Sequence, residues 1–117
     1  FRQMERFYFI EKYKTSKRCI FSTSGGIVLD KDCRNLLKNE SFTFLLKSHP
    51  TVLHERLLKS SPRPLLLDVE DQYEAISKIW DNRKELYYDS AKFTIKVDNI
   101  SSLQVAQSIQ SIIYENS

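Results

Sequence analysis

A chain of 117 residues with 18 lysines and arginines against 15 aspartates and glutamates has a net charge of +3, too mild to argue for nucleic acid or a membrane surface as partner. With 41% apolar and 28% charged residues, the composition is that of an ordinary soluble globular protein. The length allows one domain that buries roughly 65% of the surface its unfolded chain exposes, and no apolar run approaches the ~18 residues of a bilayer span.

The chain opens at Phe1 with no methionine, signal-peptide pattern or capping residue, directly inside an amphipathic segment, so its beginning reads as a cut. Apolar periodicity makes Phe1 to Tyr13 a helix with Met4, Phe7, Tyr8 and Ile10 on or near one face. Lys14 to Arg18 is a basic connection into a short strand, Arg18 to Thr23. Beyond the glycines Gly25 and Gly26, Asp30 caps a helix to about Lys38, ended by Asn39 or Glu40. Phe42-Thr43-Phe44-Leu45-Leu46 is apolar on consecutive positions, which suits a strand buried on both faces.

Pro50 sits in the first turn of a helix reaching about Lys59, where its missing N–H costs nothing. Pro62 and Pro64 bracket Arg63, so Ser60 to Leu67 is a loop that presents one arginine. A long helix from about Glu70 to Ser90 carries Tyr73, Ile76, Ile79, Trp80, Leu86 and Tyr87 inward. Lys92 to Val97 is a last strand, and Ser101 or Ser102 caps a final helix through Tyr114. Strands separated by helices imply an α/β fold with a parallel sheet and right-handed crossovers. Three strands make a poor open parallel sheet, which again points to missing N-terminal residues.

Both glycines of the chain stand side by side, where average usage would scatter roughly eight. Placed at the end of a strand, Ser22-Thr23-Ser24-Gly25-Gly26 is either a tight turn or a site where a ligand approaches bare backbone. Open α/β sheets bind anions at that edge. Cys19 in the strand and Cys33 in the helix lack metal or redox spacing and read as reduced, buried thiols of a cytosolic protein. His49 and His54 have no partner cluster and are not read as ligands or bases.

Arg2, Arg63 and Arg83 stand in contexts that serve no evident structural need, and arginine's planar fork grips carboxylates and phosphates through two parallel hydrogen bonds. The ordered set Phe1-Arg2-x-x-Glu5, Ser22-Thr23-Ser24-Gly25-Gly26-Ile27-Val28, Arg63-Pro64-Leu65-Leu66 and Arg83-x-x-Leu86-Tyr87 resembles shikimate kinase over essentially the whole chain. The resemblance implies a three-layer α/β/α fold with a parallel sheet, the P-loop kinase fold of the nucleoside monophosphate kinase type, incomplete at its N-terminus. It implies ATP-dependent phosphorylation of the shikimate 3-hydroxyl in the route to chorismate and aromatic amino acids.

Carried over by position, Arg2 holds the shikimate carboxylate, Glu5 orients Arg2, and Gly25 and Gly26 offer backbone amides to shikimate and the transferred phosphate. Arg63 is the lid arginine that closes over the ATP phosphates, on a lid loop spanning residues 60–68, and Arg83 is the second arginine on the carboxylate. Ser24 stands where the family has its first glycine, a strained choice only if the backbone there needs positive φ.

Phosphoryl transfer fits this equipment, because the protein supplies positioning and charge stabilisation, with Mg²⁺, rather than covalent help. No G-x-x-x-x-G-K-[ST] loop occurs in these residues, so the nucleotide phosphates and Mg²⁺ are held mostly upstream. In the family the strand bearing that loop lies between the strands matching Arg18 to Thr23 and Phe42 to Leu46. The 117-residue segment is thus read as a single-domain fragment, inactive and not cooperatively folded alone, from a cytoplasmic enzyme that is monomeric at full length. The alternatives are a non-catalytic shikimate-kinase-like binding or regulatory protein, and another small-molecule P-loop kinase such as a gluconate or nucleoside monophosphate kinase.

Overall fold

In the computed structural model, which describes residues 1–60 and 69–117, the elements in chain order are α1 (Arg2–Thr15), a 3₁₀ turn (Gly25–Leu29), α2 (Lys31–Asn39), β1 (Phe44–Lys47), α3 (Pro50–Ser60), α4 (Val69–Ser90), β2 (Phe93–Lys96) and α5 (Ser102–Glu115). Three helix starts have a local cause. Asp30 accepts the Cys33 N–H at 3.0 Å and so caps α2. Pro50 is the first residue of α3, and the Thr51 N–H donates to His49 Nδ1 at 3.2 Å. Ser101 caps α5 with a complete capping box, its hydroxyl accepting from Gln104 N–H while the Gln104 side chain reaches back to Ser101 N–H.

β1 and β2 pair in parallel, in register from Phe44 opposite Phe93 to Lys47 opposite Lys96. The ladder runs past both ends, with Lys92 N–H donating to Thr43 C=O and Val97 N–H to Lys47 C=O, each at 2.9 Å. Parallel neighbours need a crossover, and α3 and α4 supply it, packing against each other on the way. The fold is therefore of the α/β class with a parallel sheet.

Two apolar cores result. Ile95 and Val97 of the β2 strand end pack with Val105, Ile109 and Ile112, which lie on one face of α5 at spacings of four and three. Phe9 of α1, Ile27 and Val28 of the 3₁₀ turn, and Cys33 and Leu37 of α2 form the other, flanked by Leu86 and Tyr87 of α4. This second core fixes α1, the glycine turn and α4 around one point. Arg34 donates to Val28 C=O at 2.7 Å and holds the turn from the α2 side.

Several expectations need correction. Arg18 to Thr23 makes no ladder among the described residues and begins with Arg18 in the left-handed region at φ 52°, so two strands stand where three were expected. A strand needs a hydrogen-bonding neighbour, and this segment is held instead by Phe21, whose ring meets Phe9 edge-on at 5.3 Å. Cys19 within it is exposed, while Cys33 is buried, and both are free thiols. On α1 the stripe of Met4, Phe7 and Tyr8 faces outward, and the stripe of Phe9, Ile10 and Tyr13 faces the core. β1 is not buried on both faces, since only β2 flanks it and Leu46 is half exposed. On α4, Tyr73 and Ile79 are exposed, whereas Leu86 and Tyr87 turn inward. Among the described residues no helix is long and apolar enough to cross a membrane.

Asp30 does double duty, capping α2 and pairing with Arg6 Nε of α1 at 2.8 Å. Partial burial works to raise its pKa, but the Cys33 N–H bonds and Arg6 hold the carboxyl below the usual value. A depressed folded-state pKa means stabilisation that is present above the unfolded value of about 4 and lost as pH falls through the folded value. Asp30→Ala in the full-length protein is expected to cost about 1–2 kcal/mol at neutral pH, seen as a melting temperature several degrees lower. An unchanged melting temperature at pH 7 would contradict the cap.

Candidate functional site

Arg2 lies in the first turn of α1, where the helix leaves no side-chain cap and the chain direction throws the guanidinium toward the 3₁₀ turn. Glu5, one turn on, takes Arg2 Nη1 on its Oε2 at 2.6 Å. Ser24 completes the group, its hydroxyl donating to Glu5 Oε1 and accepting from Arg2 Nη1 at 3.3 Å. The Phe1 ring stands 5.2 Å from the guanidinium carbon. Among the described residues, Arg2 Nε and Nη2 have no hydrogen-bond partner.

The glycine pair owes its identity to close approach, not to backbone angle, for neither glycine has a positive φ. A Cβ at Gly26 would overlap the Arg2 guanidinium carbon and both of its terminal nitrogens. A Cβ at Gly25 would stand 2.9 Å from Tyr87 Oη. The bare backbone expected from the sequence is thus already approached by two of the chain's own side chains, one from α1 and one from α4. The first bond of the 3₁₀ turn runs from Ile27 N–H to Ser24 C=O, so the Gly25 and Gly26 N–H groups precede it. Ser24 itself has φ −72° and ψ 160°, ordinary extended backbone, so serine in this position is unstrained.

A cleft of about 150 Å³ opens beside this group, lined by Arg2, Glu5, Arg6, Gly26, Ile27, Leu29, Asp30 and Cys33. Its far wall is pinned by Arg6, which pairs with Asp30 and with Asp32. The hydrogen bond from Ser24 is the largest cause acting on the Glu5 pKa and lowers it; burial opposes it, and the Arg2 bond and charge keep the net shift downward. Glu5 therefore stays ionised beside Arg2. Burial, with Asp30 close by, pushes the Cys33 thiol up to about 12, so it lines the cleft as an inert apolar group.

The structure brings Arg2, Glu5, Gly25 and Gly26 together. Arg83 lies on α4 one turn before Tyr87, the residue that touches Gly25, and is not part of the cleft lining. Arg63 and most of the expected lid loop 60–68 lie outside the described residues. Tyr87, read from sequence as a core residue, is also a wall of the glycine turn, and its stacking on Trp80 at 6.0 Å fixes its ring. Ser24 was visible only as a departure from a family pattern, because nothing in its local sequence announces a bond to a residue 19 positions earlier. His54 is buried with Nε2 at 3.2 Å from Gln72 Oε1, a satisfied structural histidine. Among the described residues no group of three or more His, Cys, Asp or Glu could hold a metal ion.

A family model described as shikimate kinase matches residues 1–114. A shikimate kinase from Thermodesulfovibrio yellowstonii is 34% identical over 93 residues, covering 80% of this chain and 53% of that protein. One from Caldanaerobacter subterraneus subsp. tengcongensis is 32% identical over 109 residues, covering 93% of this chain and 62% of the relative. One from Caldicellulosiruptor saccharolyticus is 31% identical over 112 residues, with 96% and 63% covered. The chain thus spans between about half and two thirds of the length of these relatives.

Proposed function

Because this chain belongs to the shikimate kinase family, whose fold is the P-loop kinase fold, we propose that it forms the shikimate-holding part of an enzyme that transfers the γ-phosphoryl group of ATP to the shikimate 3-hydroxyl. The observation that carries this is the seat of Arg2, a guanidinium laid over bare Gly26, braced from behind by Glu5, with its Nε–H and Nη2–H edge unused. That edge matches the two oxygens of a carboxylate. Arg83 is proposed as the second cation on the same carboxylate, reaching from α4 beside the Tyr87 contact.

With the carboxylate held, the ring hydroxyls fall toward the Gly25 and Gly26 N–H groups, which precede the first bond of the 3₁₀ turn and can meet a hydroxyl or phosphoryl oxygen. Fixing the hydroxyl in line with the phosphoryl donor supplies most of what this reaction needs from protein. Arg63, by resemblance, adds positive charge to the phosphates and excludes water when residues 60–68 close, which limits wasteful hydrolysis. Mg²⁺ would spread the charge of the phosphates, but the described residues offer no set of ligands for it, and no step is assigned to it in this chain.

The test is a coupled assay of ADP release in the full-length protein. Shikimate-dependent release is expected, and Arg83→Ala should raise the KM for shikimate about tenfold or more while leaving the KM for ATP within about twofold. Absence of shikimate-dependent ADP release, or an Arg83→Ala enzyme altered only toward ATP, would overturn the assignment.

A further inference from the structure

Resting on the function proposed above, we infer that Ser24 is a positioning residue that fixes the guanidinium of Arg2 for the substrate carboxylate. Hydrogen-bond accounting leads there. A serine hydroxyl has one proton to give and lone pairs to receive, and Ser24 spends the proton on Glu5 Oε1 and receives Arg2 Nη1. Nη1 carries two protons; Glu5 Oε2 takes one at 2.6 Å and Ser24 Oγ takes the other at 3.3 Å. The three side chains close a ring in which Nη1 is fully committed. What remains is the Nε–H and Nη2–H edge, the side-on fork that fits two carboxylate oxygens.

Without the hydroxyl, Glu5 and Arg2 would keep a single ion pair within one helix turn, with the arginine half exposed, and one bond leaves a guanidinium free to pivot. The guanidinium could then turn about its own bonds above Gly26, where no Cβ stops it. Ser24 ties the pair to the 3₁₀ turn, so the arginine and the glycine amides are placed by the same segment of chain. The backbone at Ser24 is extended, so alanine and threonine fit there as well as serine. Side-chain chemistry can therefore be varied without straining the turn.

The experiment compares Ser24→Ala and Ser24→Thr in the full-length protein. Ser24→Ala is expected to raise the KM for shikimate about fivefold, with kcat and the KM for ATP within about twofold, and Ser24→Thr to restore the wild-type KM. A purely structural role would move all parameters together and would not be rescued by the threonine hydroxyl. Equal KM values for shikimate in all three proteins would overturn the inference. In parallel, nitrogen-15 NMR of the ligand-free protein reads the Arg2 Nη protons directly: slow exchange or hindered rotation in wild type and Ser24→Thr, lost in Ser24→Ala, supports the ring, and identical behaviour in all three refutes it. Should the wild type show no calorimetric binding of shikimate, the proposed function fails while the NMR comparison still decides the role of Ser24.

Discussion

Alanine at Gly26 is expected to raise the KM for shikimate about 100-fold in the full-length protein while shifting its melting temperature by no more than about 3 °C. The two halves of that result have different causes. A Cβ at Gly26 would overlap the guanidinium of Arg2, the far end of a flexible side chain that can swing into solvent at small cost to the fold. The φ at Gly26 is not positive, so alanine suits the backbone and even restricts the unfolded chain. Function has no such escape. Displacing the guanidinium removes the two charge-assisted hydrogen bonds proposed to the carboxylate, worth about 1.5 kcal/mol each from a half-exposed arginine. Arg2→Ala should produce a similar KM, and the double variant should be scarcely worse than either single one, because both remove one interaction. Additive losses, or a Gly26→Ala enzyme with wild-type KM, would show that Arg2 does not work from this seat.

The isolated 117-residue segment is expected to show no cooperative thermal transition and no measurable ADP release with shikimate and ATP. Among the described residues the buried apolar side chains fall into two small clusters and the sheet has two strands. Ile20 is 98% exposed in a segment without a ladder among the described residues, and Met4 and Phe7 are 76% and 67% exposed on the outer face of α1. Surfaces of that kind demand cover in a stable protein. The chain spans between about half and two thirds of the length of the relatives it matches. A broad transition with strong binding of a hydrophobic dye is the expected calorimetric and fluorescence signature. A sharp, reversible transition for residues 1–117 alone would sink the expectation, as would shikimate-dependent turnover.

Much of the local structure was legible because its causes are local. Asp30, Pro50 and Ser101 each mark a helix start through a bond or a ring that lies within three residues, and the structure honours all three. The parallel pairing followed from helices interposed between strands. What failed depended on distant neighbours. Periodicity showed that α1 is amphipathic but could not choose between its two apolar stripes, since the choice is made by Ile27, Val28 and Leu37 from other elements. Arg18 to Thr23 has strand-like composition, yet a strand exists only where another backbone pairs with it. At the site, the residue types were readable from order and spacing, whereas the reason for Gly26 was not. Only coordinates reveal that an arginine occupies the place of its absent side chain.

That occupancy has a consequence for descent. Positions 2 and 26 are expected to change together, because a side chain at 26 displaces the guanidinium of Arg2 from the seat it now holds. At position 25 the neighbour is the hydroxyl of Tyr87 on a ring stacked against Trp80, so a side chain there would press on a fixed group instead of a flexible one. Substitutions at residue 26 should therefore be found mainly in relatives that also lack the arginine at position 2.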